Sequence, residues 1–304
     1  MTGPTAGETL DALATEARDP AATDLDLRTT ADLVRLMNAG DADVPSAVAR
    51  ATDSIAAAID AIAARLAVGG RLVYVGAGTS GRLAVVDAAE CESTFSVPPG
   101  RVVALIAGGA AAAAAAQEEA EDDAAAGAEA IRALEVVPGD AVVALSASGR
   151  TPYVVAALTE AAAAGAATVA VVSVEGSPLG AAAEHEIVVL VGPEVIAGST
   201  RLKAGTAQKL VLNMISTISM IRLGKTYGNL MVDVVATNEK LRARVRRIVA
   251  AASDADADRV EAALDEASGD AKVAILLLAR DLDADAARAL LESQGGNLRK
   301  ALGP

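Results

Sequence analysis

The stretch Gly76-Ala-Gly-Thr-Ser-Gly-Arg82 follows the apolar run Arg71-Leu-Val-Tyr-Val75, and a lone acid, Glu90, comes soon after it. A strand that ends in a Gly/Ser/Thr loop and opens a helix presents backbone N–H groups and a helix dipole to a phosphate. A carboxylate in the same unit adds the means of moving a proton. The glycines match the G-x-G-x-x-G spacing of dinucleotide sites, a weak signal by itself. The next apolar run, Val102–Ile106, ends in Ala107-Gly-Gly109 and offers no acid for a ribose. Thr79 and Ser80 suit a sugar or its phosphate better. A tight strand-to-helix turn with no ligand would read the same way.

A second loop, Ser146-Ala-Ser-Gly-Arg-Thr151, follows a third apolar run. It supplies the hydroxyls of Ser146, Ser148 and Thr151, Gly149 for close approach, and Pro152 to start a helix. Two hydroxyl loops on one edge of a sheet form one basin for a phosphate without needing lysine. Arg150 either helps there or faces solvent. A third block, Pro193 to Lys209, combines Glu194, Ser199, Thr200, Lys203 and Lys209 at the start of a long helix. Its cations meet an anion or line an interface; the plainer reading is a helix cap with dimer packing. The Gly-bearing connection Leu223–Asp233 is too specific in its residues to be filler.

Glu121 lies in Gln117-Glu-Glu-Ala-Glu-Asp-Asp123. On a helix Glu118 and Glu121 share a face, while Glu119 and Asp122 point elsewhere. Acidic runs are commonly solvated faces. Glu90 differs, because it sits among Ala, Cys and Ser. Cys91 reads as a packed small hydrophobe with no histidine near it in sequence. His185 reads as an exposed loop residue at a strand entry. With one His and one Cys in the chain, no metal-ligand spacing appears, and no metal is expected.

These groups need a scaffold. Short Val-rich runs at 72–75, 102–106, 141–145, 168–173 and 186–191 alternate with Ala-rich stretches of helical length. Continuous apolar runs read as strands buried on both faces. The pattern predicts an α/β fold, a doubly wound and mainly parallel five-stranded sheet with ligands at the carboxyl ends of its strands. Residues 1–50 carry two helical patterns that pack on the main domain, 51–248 form that domain, and 249–304 form a small three-helix module. The biased segment 110–130 reads as ordered helix. A net charge of −14 argues against a nucleic-acid partner, though not against a small anion. No apolar run approaches the ~18 residues of a membrane span. The absence of a leader and of cysteine pairs points to the cytoplasm.

Together the blocks resemble the N-acetylmuramic acid 6-phosphate etherase family. The resemblance rests on Gly76–Leu83, Asp87-Ala-Ala-Glu-Cys91, Ile106–Gly109, Ala120-Glu-Asp122, Ser146–Tyr153, and the run Gly198 to Lys240. It implies a sugar-isomerase-type domain, a homodimer, a sugar-phosphate substrate and no cofactor. It implies cleavage of a lactyl ether in cell-wall recycling, with N-acetylglucosamine 6-phosphate and D-lactate as products. Glu90 falls on the family's proton donor and Glu121 on its second catalytic acid/base. Three positions depart from the family pattern: Ala89 where Ser is common, Glu92-Ser93 where Pro-Pro is common, and Glu119 where Gly is usual. Glu92 brings a second negative charge near Glu90 in sequence. A sugar-phosphate isomerase using Glu194, and a non-catalytic sugar-phosphate sensor, are the rival readings.

Overall fold

Each Val-rich run becomes a strand, because β-branched side chains fit a pleated surface and find helices on both faces. The computed structural model describes residues 14–303 except Ala116, Val235, Thr237 and Asp281. Among these, the strands are β1 Leu72–Gly76, β2 Val102–Ile106, β3 Ala141–Leu145, β4 Ala167–Val172 and β5 His185–Val188. All pairings are parallel, in the order β2-β1-β3-β4-β5. The sheet is therefore doubly wound, and the direction of winding reverses between β1 and β3. Crevices at such a reversal, beyond the carboxyl ends of the strands, are where ligands bind in open α/β sheets.

The helices before and within the sheet are α1 Thr30–Ala42, α2 Val44–Arg50, α3 Thr52–Ala67, α4 Gly78–Phe95, α5 Ala124–Ala133, α6 Pro152–Ala163, α7 Pro178–Ala181 and α8 Lys203–Arg222. Residues of β1, β3 and β4 are buried throughout. Val73, Val75, Val142, Ala144 and Val172 pack against Ile131 of α5 and Val154 and Leu158 of α6. Small residues let α5 and α6 approach closely: a Cβ on Gly127 would stand 2.1 Å from the Tyr153 carbonyl oxygen. His185 opens β5 rather than lying in a loop.

The expected Ala-rich helix over 110–130 does not form as one element. Residues Gly109–Ala113 and Glu118–Glu121 are short 3₁₀ turns, and only α5 is α-helical. Alanine favours helix, but Gly108 and Gly109 both have positive φ, which starts the segment in a turn. Arg82 then takes the carbonyls of Ala112 and Ala115, at 3.0 Å each, which a continuing helix would use.

The chain divides into two compact units. One takes the described residues up to Ala88 with Gly100–Ile215; the other takes Ala89–Pro99 with the residues from Ser216 onward. The second unit carries α9 Glu239–Ser253, α10 Ala257–Glu266, α11 Ala271–Ala279, α12 Ala284–Ser293 and α13 Leu298–Leu302. The boundary read at 248–249 falls inside α9. Each of these helices begins on an Asn or Asp whose side chain accepts an amide from the first turn. Val249, Val260, Ile275, Leu276 and Leu298 fill their core. The connection at 223–233 is fastened to it: Lys272 pairs with Asp233 at 2.5 Å, and the Arg299 guanidinium lies 4.4 Å from the centre of the Tyr227 ring.

Candidate active site

β1 ends at Gly76, and α4 begins only two residues later. That turn works because three positions lack a side chain. A Cβ on Gly76 would meet the Gly81 nitrogen at 2.7 Å, and one on Gly81 would meet Ile106 at 2.6 Å. Gly78 holds φ +51, a left-handed conformation that other residues adopt at a cost. The glycine spacing thus serves a close strand-to-helix turn.

Across the reversal, the loop after β3 is built on Ser146. Its buried hydroxyl accepts the Gly149 amide at 3.1 Å and lies 2.9 Å from the Thr151 hydroxyl. Gly149 holds φ +63 and packs so closely that a Cβ would stand 2.4 Å from Ser177. It shapes the loop and is not among the residues that line the cleft.

The two loops share a cleft of about 590 Å³. Thr79 and Ser80 line it from α4, and Ser146, Ser148 and Thr151 from the second loop. Ser199 lines it from the third block, with Thr200 and Arg201. The acidic turn closes another side: Glu118 and Glu121 share a face, as 3₁₀ geometry requires of residues three apart. Asp122 also lines the cleft, contrary to its expected outward direction, because the turn ends there and the chain bends into α5.

Glu121 is half-buried against the start of α4. Its Oε1 lies 2.8 Å from where a Cβ on Gly78 would project. Burial pushes its carboxyl above the ordinary value, and the charges of Asp122 and Glu118 push the same way; Arg82 opposes them. A carboxylate with a raised pKa is a stronger base once ionised.

Two expected ligands are placed elsewhere. Glu194 is 1% exposed and accepts the amides of Lys203 at 3.0 Å and Ala204 at 2.9 Å. It caps α8, the plainer of the two readings of this block. That cap sets Lys203 toward α1, where its Cδ lies 3.7 Å from a Cβ position on Gly40. Lys203 and Glu194 line a separate pocket of about 230 Å³ with Asp41 and Asp43. Glu90 is exposed, on the part of α4 that belongs to the second unit. Glu92 shares no helix face with Glu90, since residues two apart on a helix diverge.

The structure adds residues the sequence reading passed over. Arg82 lines the cleft, one helical turn after Gly78 and on the same face, which its spacing alone would have shown. Glu16 lines it from the segment before α1. The Thr15 carbonyl accepts the Gly198 amide at 3.2 Å. A contact so distant in sequence leaves no local signal.

A model of the glucokinase regulatory protein N-terminal SIS domain matches residues 54–162, and the SIS domain model matches 124–218. The N-acetylmuramic acid 6-phosphate etherase of Streptomyces coelicolor is 56% identical over 293 residues, covering 96% of this chain and 94% of the relative. That of Rubrobacter xylanophilus is 57% identical over 271 residues, covering 89% and 90%. A phosphoheptose isomerase from Francisella tularensis shares the fold, with a TM-score of 0.51 at 19% identity over 64% of this chain and 100% of its own. Identity of this level over nearly the full length of both chains shows that the chain belongs to the N-acetylmuramic acid 6-phosphate etherase family.

Proposed function

We propose that this enzyme cleaves the D-lactyl ether of N-acetylmuramic acid 6-phosphate, giving N-acetylglucosamine 6-phosphate and D-lactate. The observation that carries the reading is one cleft joining a hydroxyl-rich loop at the sheet reversal to a carboxylate with a raised pKa. Hydroxyls and helix N-terminal amides hold the sugar phosphate without lysine. Thr79, Ser80, Ser146, Ser148, Thr151 and Ser199 are the proposed contacts.

In the ring-opened sugar, the aldehyde acidifies the proton on carbon 2, and the lactyl oxygen on carbon 3 is a β-leaving group. Glu121, ionised, takes the carbon 2 proton. The carbon 3–oxygen bond breaks as the double bond forms between carbons 2 and 3, and Glu90, protonated, gives its proton to the departing lactate. Water then adds at carbon 3, and a proton returns to carbon 2. The sum consumes one water and changes no overall oxidation state. Two carboxylates in opposite protonation states suffice for these transfers. The role of Glu90 rests on its match to the family motif. A homodimer belongs to the same reading, and sedimentation of the purified chain tests it.

Incubation with the muramyl substrate, with D-lactate measured, tests the activity. An isomerase or a sugar-phosphate sensor releases none. Replacing Glu90 with Ala should keep solvent exchange at carbon 2 and lose lactate release; equal loss of both would overturn the role assignment.

A further inference from the structure

We propose that Arg82 is the positioning residue for Glu121, acting through the turn that carries it. The inference rests on Glu121 being the base. The Arg82 Nε and Nη2 donate to the carbonyls of Ala112 and Ala115, at 3.0 Å each. These carbonyls lie on the stretch that leaves β2 and leads to the Glu118–Glu121 turn. At the far end of that turn, the Asp123 side chain accepts the Ala126 amide at 2.9 Å and starts α5. Between these two fixings the turn contains no buried residue. Ala120 alone packs, partly buried, against the core beside Ile131 and Val154, so the turn's place is set by that contact and by its two ends, with Gly78 as the floor under the carboxylate.

The guanidinium presents its Nε and Nη2 donors from two separate atoms in a fixed plane, whereas the three donors of an ammonium radiate from one nitrogen. Arg82 also supplies positive charge close to Glu121. The charged groups around that carboxylate are Glu118 and Asp122 on its own turn and Arg82 on α4, with Glu16 and Arg201 lining the same cleft. Arg82 thus fixes where the base stands and tempers the push that burial and its acidic neighbours exert on it.

The test uses the full-length protein with Arg82→Gln and Arg82→Lys, measuring D-lactate release against pH. Arg82→Gln should lower kcat about a hundredfold, the scale of a 1 Å misplacement, with KM little changed. Its acid limb should move to higher pH, because a cation near the base is gone. Arg82→Lys should keep the limb near the parent's position and still lose kcat, because one nitrogen cannot reproduce the two separated, fixed donor positions of the guanidinium. A parental kcat in Arg82→Gln overturns the inference. So does a raised KM at unchanged kcat, which marks a substrate ligand, or an unshifted limb, which marks a general packing defect. If Arg82→Gln does not fold, Arg82→Lys decides alone: reduced kcat at unchanged KM supports the clamp, and parental turnover overturns it. Glu121→Gln separates the two levels. If it still exchanges the carbon 2 proton, the base reading fails; if it is inert while both Arg82 variants match the parent, this inference alone fails.

Discussion

The Glu121 carboxylate rests on Gly78: its Oε1 stands 2.8 Å from the point where a Cβ on that glycine would be. The absence of one methyl group lets the acid sit over the first turn of α4. Gly78→Ala should therefore damage turnover more than folding. The left-handed φ of +51 costs alanine about 1 kcal/mol. Displacing the carboxylate should lower kcat about a hundredfold. Denaturant midpoints and lactate release on the same preparation check both. Equal, small effects would show that the carboxylate can move aside without harm.

The raised pKa of Glu121 gives two pH signatures. As a base it must be ionised, so activity falls as pH drops through its folded value, which lies above 4.5. Stability runs the other way. Between 4.5 and the folded value the native state binds the extra proton, so this group's contribution weakens as pH rises through that window. At neutral pH its half-buried charge is a burden on the fold. Glu121→Gln should abolish lactate release and raise the melting temperature. A variant both inactive and less stable would place Glu121 in a structural role.

Architecture was legible because it follows from periodicity: continuous Val-rich runs separated by helical lengths leave few options beyond a parallel sheet. The cleft was legible where its residues sit just after strands, as Thr79, Ser80 and Ser146 do. It was not legible where backbone amides decided the matter. Glu194 and Lys203 looked like ligands by composition, yet the amides at the start of α8 claim the carboxylate and set the lysine. Glu16 could not be found at all, because its wall of the cleft depends on a pairing with the 198 region. The alanine tract misled for a similar reason, since Arg82 takes carbonyls that helix propensity would have assigned to a helix.

Below the opposite end of β1, Asp140 is 1% exposed and receives the Arg71 amide at 2.7 Å and its guanidinium at 2.6 Å. Burial alone would raise its carboxyl, but the Arg71 bonds outweigh it and hold the pKa below 3.8. A depressed folded value gives stability that is present above 3.8 and lost as pH falls through the folded pKa. Asp140→Ala leaves Arg71 without its buried partner and should cost about 3–5 kcal/mol. Turnover per folded molecule should be unchanged, since neither residue lines the cleft. A urea titration paired with active-site-normalised rates separates these effects.

Glu194 discriminates between the etherase and isomerase readings. Were it an isomerase's acid, Glu194→Gln would abolish turnover while leaving the fold nearly intact. The structure instead gives both its oxygens to amides of α8, at 3.0 and 2.9 Å. A glutamine there can accept only one of the two and turns its NH₂ toward the other donor. A buried N–H left unpaired costs about 1–3 kcal/mol. The expected outcome is a lower unfolding midpoint with lactate release per folded molecule close to the parent's. Loss of turnover at an unchanged midpoint would return Glu194 to the chemistry and count against its assignment as a helix cap.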